Sequence, residues 1–209
     1  MGLGRSTSVR VTPGGVAAME RVDARPLRDL AAAAGRDPRA HELLLARVRD
    51  MALKYARVRL GRFGAEDIAQ DVAQEVCMAV MTALPTYEER GLPFEAFVYT
   101  ITSRKLADAQ RAAMRGPVPV PEVPDAPDDA PSPESVAVMR DQAATALALM
   151  QRLPAQQREI LTLRVAVGMS ADETAAALGM SPGAVRVAQH RALGKLRALV
   201  AEAEAGDVA

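Results

Sequence analysis

A stretch rich in proline and acid divides this chain into two parts and constrains its fold more than any other feature. Residues 117–134, PVPVPEVPDAPDDAPSPE, hold seven of the fourteen prolines and five acidic residues, and they include no basic residue. Proline lacks a backbone N–H donor and disfavours helix at the residue before it. We therefore predict an extended acidic linker over residues 117–135 that separates two folded segments.

Apolar residues repeat with helical spacing on both sides of this linker. Before it, the repeats predict helices over residues 39–60, 65–84 and 94–115, and a shorter helix within 22–34 that ends at Gly35. No stretch shows the alternation typical of a strand. We predict an all-α fold of two small helical domains, residues 22–116 and 136–203, and we expect residues 1–20 to be disordered.

Composition excludes several classes of function. The chain has 26 basic and 26 acidic side chains, one cysteine and two histidines, so we expect no disulfide, metal site or cofactor. No uncharged apolar run reaches the ~18 residues that span a bilayer, and the N-terminus lacks the apolar segment of a signal peptide. We expect a cytoplasmic protein without membrane insertion. We expect no catalytic residue either, because no nucleophile–base pair or phosphate loop is present.

Residues 170–197, SADETAAALGMSPGAVRVAQHRALGKLR, predict a helix-turn-helix. Ser170 and Glu173 have the spacing of a capping box at the start of the first helix. Gly179 allows the left-handed backbone that a sharp turn requires. Ser181 then caps the second helix, which makes this motif the strongest local signal in the chain.

The second helix of this motif carries basic side chains and no acid up to residue 197. Because the second helix of a helix-turn-helix enters the major groove, we predict that its side chains contact DNA. The alternative is a solvated basic face on an ordinary three-helix bundle. The predicted DNA-contacting residues are Ser181, Arg186, Val187, Gln189, His190, Arg191 and Lys195.

The predicted helix 65–84 has a polar face opposite a stripe of valines. Its polar residues are Asp67, Gln70, Asp71, Gln74 and Glu75. Three carboxylates recur every four residues, but without histidine or a facing acidic helix they make a poor metal site. Two interpretations remain, a solvated face and a face that docks on basic groups of a partner.

Residues 86–115 combine aromatic and basic side chains in a pattern that suits single-stranded nucleic acid. Aromatic rings stack on unpaired bases while cations follow the phosphates. Phe94 and Phe97 have the spacing of core residues, whereas the two tyrosines are better candidates for exposure. The candidate DNA-binding residues of this stretch are Tyr87, Tyr99, Arg104, Lys105, Asp108 and Arg111.

The chain resembles RNA polymerase sigma factors of the extracytoplasmic-function group, and its actinobacterial members in particular. The resemblance covers about residues 22–116 and 136–200, and it rests on DVAQEVCMAVMTALPTY (71–87), FEAFVYTITSRKLAD (94–108) and the long stretch 153–197. It implies a specificity subunit without catalysis that directs core polymerase to promoters. It also implies an anti-sigma factor as a partner.

The resemblance assigns one task to each predicted surface. Residues 67–81 would dock on the clamp helices of the largest polymerase subunit. Residues 86–111 would read and melt the −10 element, and the C-terminal domain would read the −35 element near the polymerase flap. The residues implied in polymerase docking are Asp67, Gln70, Asp71, Gln74, Glu75 and Met78.

Two near-identical tetrapeptides, DIAQ (67–70) and DVAQ (71–74), compete for the docking register. In the family an aromatic residue typically follows the motif Asp by sixteen positions, which leads from Asp71 to Tyr87 and from Asp67 to Ala83. We therefore place the motif at Asp71. The chain departs from many members at Arg104, where they carry Asn, and at Ala188, where they carry a cation.

Two further classes of function remain as alternatives. A stand-alone DNA-binding regulator would use its N-terminal domain to dimerise or to bind a ligand, and it would not need the polar face of residues 67–75. An enzyme is the weaker alternative, because the sequence offers no recognisable catalytic grouping.

Overall fold

The computed structural model describes residues 25–61, 66–88, 91–115 and 144–206, and every regular element in these ranges is helical. The predicted linker, 117–135, and residues 1–20 lie outside the described residues. The N-terminal helices are α1 (Leu27–Ala33), α2 (Pro38–Leu60), α3 (Glu66–Ala83) and α4 (Phe94–Arg115), with a short 3₁₀ turn at Leu84–Thr86.

The C-terminal segment begins with α5 at residues 144–151. It continues with α6 (Ala155–Leu161), a π-helical stretch (Thr162–Val167), α7 (Ala171–Leu178) and α8 (Pro182–Gly206). The predicted helices are therefore confirmed, with α8 extending beyond residue 197. None of the described helices combines the length and apolar character needed to cross a bilayer.

The ends of α2 follow from local residue chemistry. Asp37 precedes the helix, and its carboxylate accepts a hydrogen bond from the Arg39 backbone N–H at 2.9 Å. Pro38 occupies the first position, where no N–H is required. Gly61 ends the helix with a φ of 58°, a conformation that favours glycine.

Helices α1 to α4 bury one aliphatic and aromatic core. Leu44, Val48, Val76 and Val80 on α2 and α3 are fully buried, and Phe94 at the start of α4 is only 1% exposed. Phe97 packs against the same cluster from a partly buried position. Both phenylalanines are therefore core residues, as their spacing predicts.

The C-terminal helices have smaller cores without aromatic residues. One cluster joins Leu153, Leu161, Ala192 and Leu199, and a second joins Ile160, Ala171, Ala175 and Val185. A core of this size gives little stability by itself. The segment does not stand alone, however, because Leu163 and Met169 belong to the buried cluster of the N-terminal helices.

The π-helical stretch provides this connection between the two segments. It packs on α2, while α7 packs on α4. Gly168 ends the stretch with a φ of 90°, and the Met169 backbone N–H donates to the Leu163 carbonyl at 2.9 Å. The two predicted domains are thus in direct contact and share buried apolar surface.

Candidate nucleic-acid interface

The helix-turn-helix forms as its sequence predicts. The Ser170 backbone N–H donates to the Glu173 carboxylate at 2.7 Å, and the Glu173 N–H donates to Ser170 Oγ at 3.1 Å, which completes the capping box. Gly179 adopts a φ of 65° at the turn. Ser181 Oγ accepts from the Ala184 N–H at 3.2 Å, so this hydroxyl caps α8. The predicted Ser181 cap is confirmed.

Helix α8 presents a stripe of exposed side chains opposite its buried Val185. Arg186, Val187, His190 and Arg191 are all exposed, and 51% of the Val187 side chain is accessible. Lys195 extends the exposed stripe by one turn. Most of the predicted DNA-contacting residues therefore lie on one accessible face.

Gln189 differs from the other predicted residues of α8. It is half-buried, and its amide oxygen accepts a hydrogen bond from Arg164 Nε at 2.9 Å. Arg164 also donates to the Met169 carbonyl. Gln189 therefore lies at the edge of the exposed stripe and ties α8 to the π-helical stretch.

An acid of α7 lies next to the exposed stripe. Asp172 Oδ2 is 3.8 Å from the Arg186 guanidinium, and both side chains are more than half exposed, at 71% and 62%. Such surface pairs contribute little to stability. Arg186 is therefore free to exchange this partner for a phosphate or a base.

The predicted docking face of α3 is accessible. Asp67, Asp71, Gln74 and Glu75 are exposed, and Met78 is 57% exposed beside them. This surface combines carboxylates, an amide and an exposed apolar side chain on one helix, which matches the mixed chemistry of a protein-binding face.

Arginines of α2 border this face, and the sequence pattern does not reveal them. Gln70 is half-buried, accepts a hydrogen bond from Arg49 and donates to Glu66 Oε1 at 2.7 Å. Arg57 donates to both Glu66 oxygens, at 3.0 and 2.6 Å. These hydrogen bonds lower the pKa of Glu66, and the one from Arg57 has the largest effect. Gln70 is thus part of a network between α2 and α3.

The basic side chains of α4 have different surroundings. Arg104 is exposed, and Lys105 Nζ lies 3.0 Å from Glu75 of the docking face. Asp108 pairs with Arg111 at 2.5 Å, and each side chain is 67% exposed. The ion pair between Lys105 and Glu75 connects the surfaces that the sequence assigns to DNA and to polymerase.

A cavity of about 380 Å³ opens beside Tyr87. Its lining includes Thr86, Leu92, Phe97 and, from the C-terminal segment, Ala176. The Tyr87 ring is partly buried and lies 4.9 Å from the Phe97 ring, between centroids. Leu92 in this lining is 56% exposed. Tyr87 is therefore accessible from one side only.

Tyr99 lies at the contact between the two segments rather than on an open surface. Its hydroxyl donates to Glu159 Oε1 at 2.9 Å, and the Tyr55 hydroxyl donates to the same oxygen at 2.7 Å. The two rings meet edge to face, with centroids 5.6 Å apart. Burial, followed by the charge of Glu159, raises the pKa of both tyrosines. The expectation of an exposed Tyr99 overlooked this packing.

Among the described residues, no group of histidine, cysteine and acidic side chains is arranged to hold a metal ion. The only cysteine, Cys77, is half-buried on α3, and burial raises the pKa of its thiol.

Comparison with known families finds two matches, one on each side of the linker region. Residues 43–116 match the family Sigma-70 region 2, and residues 144–196 match the family Sigma-70, region 4. The chain is 54% identical over 173 residues to the ECF RNA polymerase sigma factor ShbA of Streptomyces griseus, covering 78% of this chain and 88% of that protein. The chain belongs to the ECF RNA polymerase sigma factors.

Two further relatives agree with this assignment. The ECF sigma factor SigD of Mycobacterium tuberculosis is 43% identical over 199 residues, covering 92% of this chain and 90% of SigD. The solved structure of CnrH in complex with the cytosolic domain of CnrY is similar, with a TM-score of 0.57 and 28% identity, and covers 84% of this chain and 97% of CnrH. As a sigma factor, the protein directs promoter-specific transcription initiation with RNA polymerase.

Proposed function

We propose that each task of this sigma factor belongs to one helix and that the protein has no catalytic site of its own. The exposed face of α3 docks on core polymerase, α8 reads the −35 duplex, and the surface from Tyr87 to Arg111 binds the melted −10 strand. The proposal is supported above all by the exposed stripe of α8, which joins three cations and an apolar side chain on a well-formed helix-turn-helix.

The α3 face suits polymerase docking by its charge and its accessibility. Asp71, Gln74 and Glu75 offer acceptors to basic side chains of the clamp helices in the largest subunit. Met78 adds apolar contact area beside them. Gln70 and Asp67 extend the same surface by one turn. Arg49 and Arg57 of α2 would hold the edge of this face through Gln70 and Glu66.

The cavity beside Tyr87 suits an unpaired −10 base. Its aromatic wall, which includes Tyr87 and Phe97, belongs to the N-terminal segment and offers a surface for stacking. Arg104 and Arg111 on α4 are exposed, and we propose that both contact phosphates. Lys105 would join them when Glu75 turns to polymerase. Asp108 would orient Arg111 through their ion pair.

The α8 stripe suits duplex DNA in two chemical ways. Arg186 and Arg191 have the donor geometry that reads guanine or holds phosphate, and His190 lies between them. Val187 is apolar and exposed, and the apolar group that a major groove presents is the methyl of thymine. We assign Val187 to a thymine methyl and Lys195 to the phosphate backbone.

Promoter binding requires the two reading helices to separate. The names −35 and −10 place the elements roughly 25 base pairs apart, which is about 85 Å of B-DNA. The 28 residues from 116 to 143 reach at most about 95 Å when extended. The acidic linker in this range would run along polymerase, with the −35 domain near the flap.

The factor would act in the cytoplasm, where polymerase and promoter DNA meet, and an anti-sigma factor is its proposed inhibitor. The deciding experiment is run-off transcription from a promoter library by purified core polymerase, with and without this protein. We expect selective transcripts only when the protein is present. A library transcribed identically in both reactions would contradict the proposed function.

A further inference from the structure

Glu159 occupies a carboxylate-binding site on the N-terminal helices. Besides the two tyrosine hydroxyls at 2.7 and 2.9 Å, the guanidinium of Arg59 lies 3.6 Å from Glu159 Oε2. Only 15% of the Glu159 side chain is exposed. The three donors come from α2 and α4, whereas Glu159 comes from α6, so the site connects the two halves of the chain.

The donors of this site are suited to a single negative charge. Hydrogen bonds to an ionised acceptor are shorter and stronger than neutral ones. The raised pKa values of Tyr55 and Tyr99 mean that both hydroxyls keep the proton that they donate. An amide in place of Glu159 would keep the size of the side chain and lose the charge, and the site would then bind it far less well.

Apolar contacts surround the carboxylate site and cover part of α4. Leu163 and Met169 are 1% and 2% exposed within the N-terminal cluster. Ala176 lines the cavity beside Tyr87, which is the proposed site of the −10 base. The C-terminal segment therefore packs against the part of the protein that would bind the melted strand.

This closed arrangement is incompatible with reading both promoter elements. The helices α4 and α8 have 22 and 25 residues, so even end to end they would span only about 70 Å. The two elements are about 85 Å apart on B-DNA. While Glu159 contacts Tyr99, the −35 and −10 readers cannot occupy both elements of one promoter.

We propose that Glu159 latches the free sigma factor closed and that polymerase must empty this carboxylate site before the promoter is read. The proposal rests on the proposed function, because it takes α4 and α8 as the two readers. The closed state keeps the protein away from promoters until core polymerase supplies a better partner for each segment.

Small-angle X-ray scattering of the full chain tests the latch without polymerase. We compare Glu159→Gln with Glu202→Gln, which removes the same charge from an exposed position on α8. The ratio of closed to open molecules is expected to fall about tenfold in Glu159→Gln and to stay unchanged in the control. The radius of gyration should therefore rise only in Glu159→Gln. Tyr99→Phe removes one hydroxyl, and its radius of gyration should also rise, but by less than that of Glu159→Gln.

The rate of association with core polymerase provides a second measurement. This rate should rise in the same variants. If Glu159→Gln loses helicity in circular dichroism, Tyr99→Phe and Arg59→Met decide the question in its place. Variants with the wild-type radius of gyration and association rate would overturn the latch. Failure of the wild-type protein to direct run-off transcription, with the scattering differences intact, would instead contradict the proposed function and leave closure standing.

Discussion

Single exposed residues on α8 carry the proposed −35 specificity, and Val187 gives the sharpest chemical test. Replacing thymine by uracil in the −35 element removes only the methyl group that Val187 would contact. One lost methyl contact is worth about 0.8 kcal/mol, or roughly a fourfold loss of promoter affinity. We expect this loss in wild-type holoenzyme and not in Val187→Ala, measured by competition binding. Equal sensitivity of both proteins to uracil would contradict the assignment.

Glu95 is a residue whose charge opposes the packing of the two segments. Burial, followed by the nearby charge of Glu173 on α7, raises its pKa. A raised pKa means that the folded state prefers the protonated form, so the cost of ionisation grows as pH rises above its ordinary pKa of 4.5. Glu95→Gln should therefore increase the melting temperature at pH 7.

The pH dependence of this effect provides the control. At pH 3, where the carboxyl of Glu95 is protonated in wild type, the difference between the two proteins should nearly vanish. Glu42→Gln, which changes an exposed acid on α2, should leave the melting temperature almost unchanged at both pH values. A destabilised Glu95→Gln at pH 7 would show that the carboxylate makes a favourable contact instead.

At the level of the helices, most features were predictable from short sequence patterns. The capping box of α7, the glycine turn and the Ser181 cap depend on residues within three or four positions of each other. Valine spacing likewise identifies the buried face of α3. The polar face lies on the opposite side of the same helix and is therefore identified with it. Local chemistry of this kind leaves a readable pattern because its partners are close in the sequence.

Contacts between helices distant in sequence left no such pattern. Tyr55 and Glu159 are 104 positions apart, and Arg164 and Gln189 are 25 apart. Neither pair has a spacing that distinguishes it from the other polar residues on those helices. For this reason the sequence does not reveal that Tyr99 is partly buried against Glu159, or that Gln189 bonds to Arg164, although the helices that carry these residues are predicted well.

The α3 face can be tested as a unit by reversing its charge. Asp71→Arg combined with Glu75→Arg places two cations where the clamp helices would meet carboxylates. Like charges across an interface oppose binding, so affinity for core polymerase should fall at least tenfold. The matched control is Glu42→Arg on α2, an exposed acid outside the proposed face. Both variants should keep wild-type helicity, and normal co-purification of the double variant would refute the docking face.

For the whole molecule, the small cores of the C-terminal segment support the proposed exchange of partners. The C-terminal cores are small and aliphatic, so this segment gains from burying Leu163 and Met169 against the N-terminal helices. A surface that is buried in the free chain becomes available once the segments part. Moderate contacts, rather than one large interface, keep that exchange reversible.

Alkaline pH should open the free protein through the two tyrosines at the carboxylate site. Burial and the charge of Glu159 raise their pKa values above the ordinary 10.0 in the closed state, and separating the segments removes Glu159 and lowers both pKa values. The open state therefore binds fewer protons above pH 10, and closure weakens by up to about 1.4 kcal/mol per pH unit for each tyrosine. The radius of gyration should rise between pH 9 and pH 11 in wild type. It should rise less in the variant carrying both Tyr55→Phe and Tyr99→Phe, which has no hydroxyl to ionise at this site. An identical rise in both proteins would mean that other groups drive the opening.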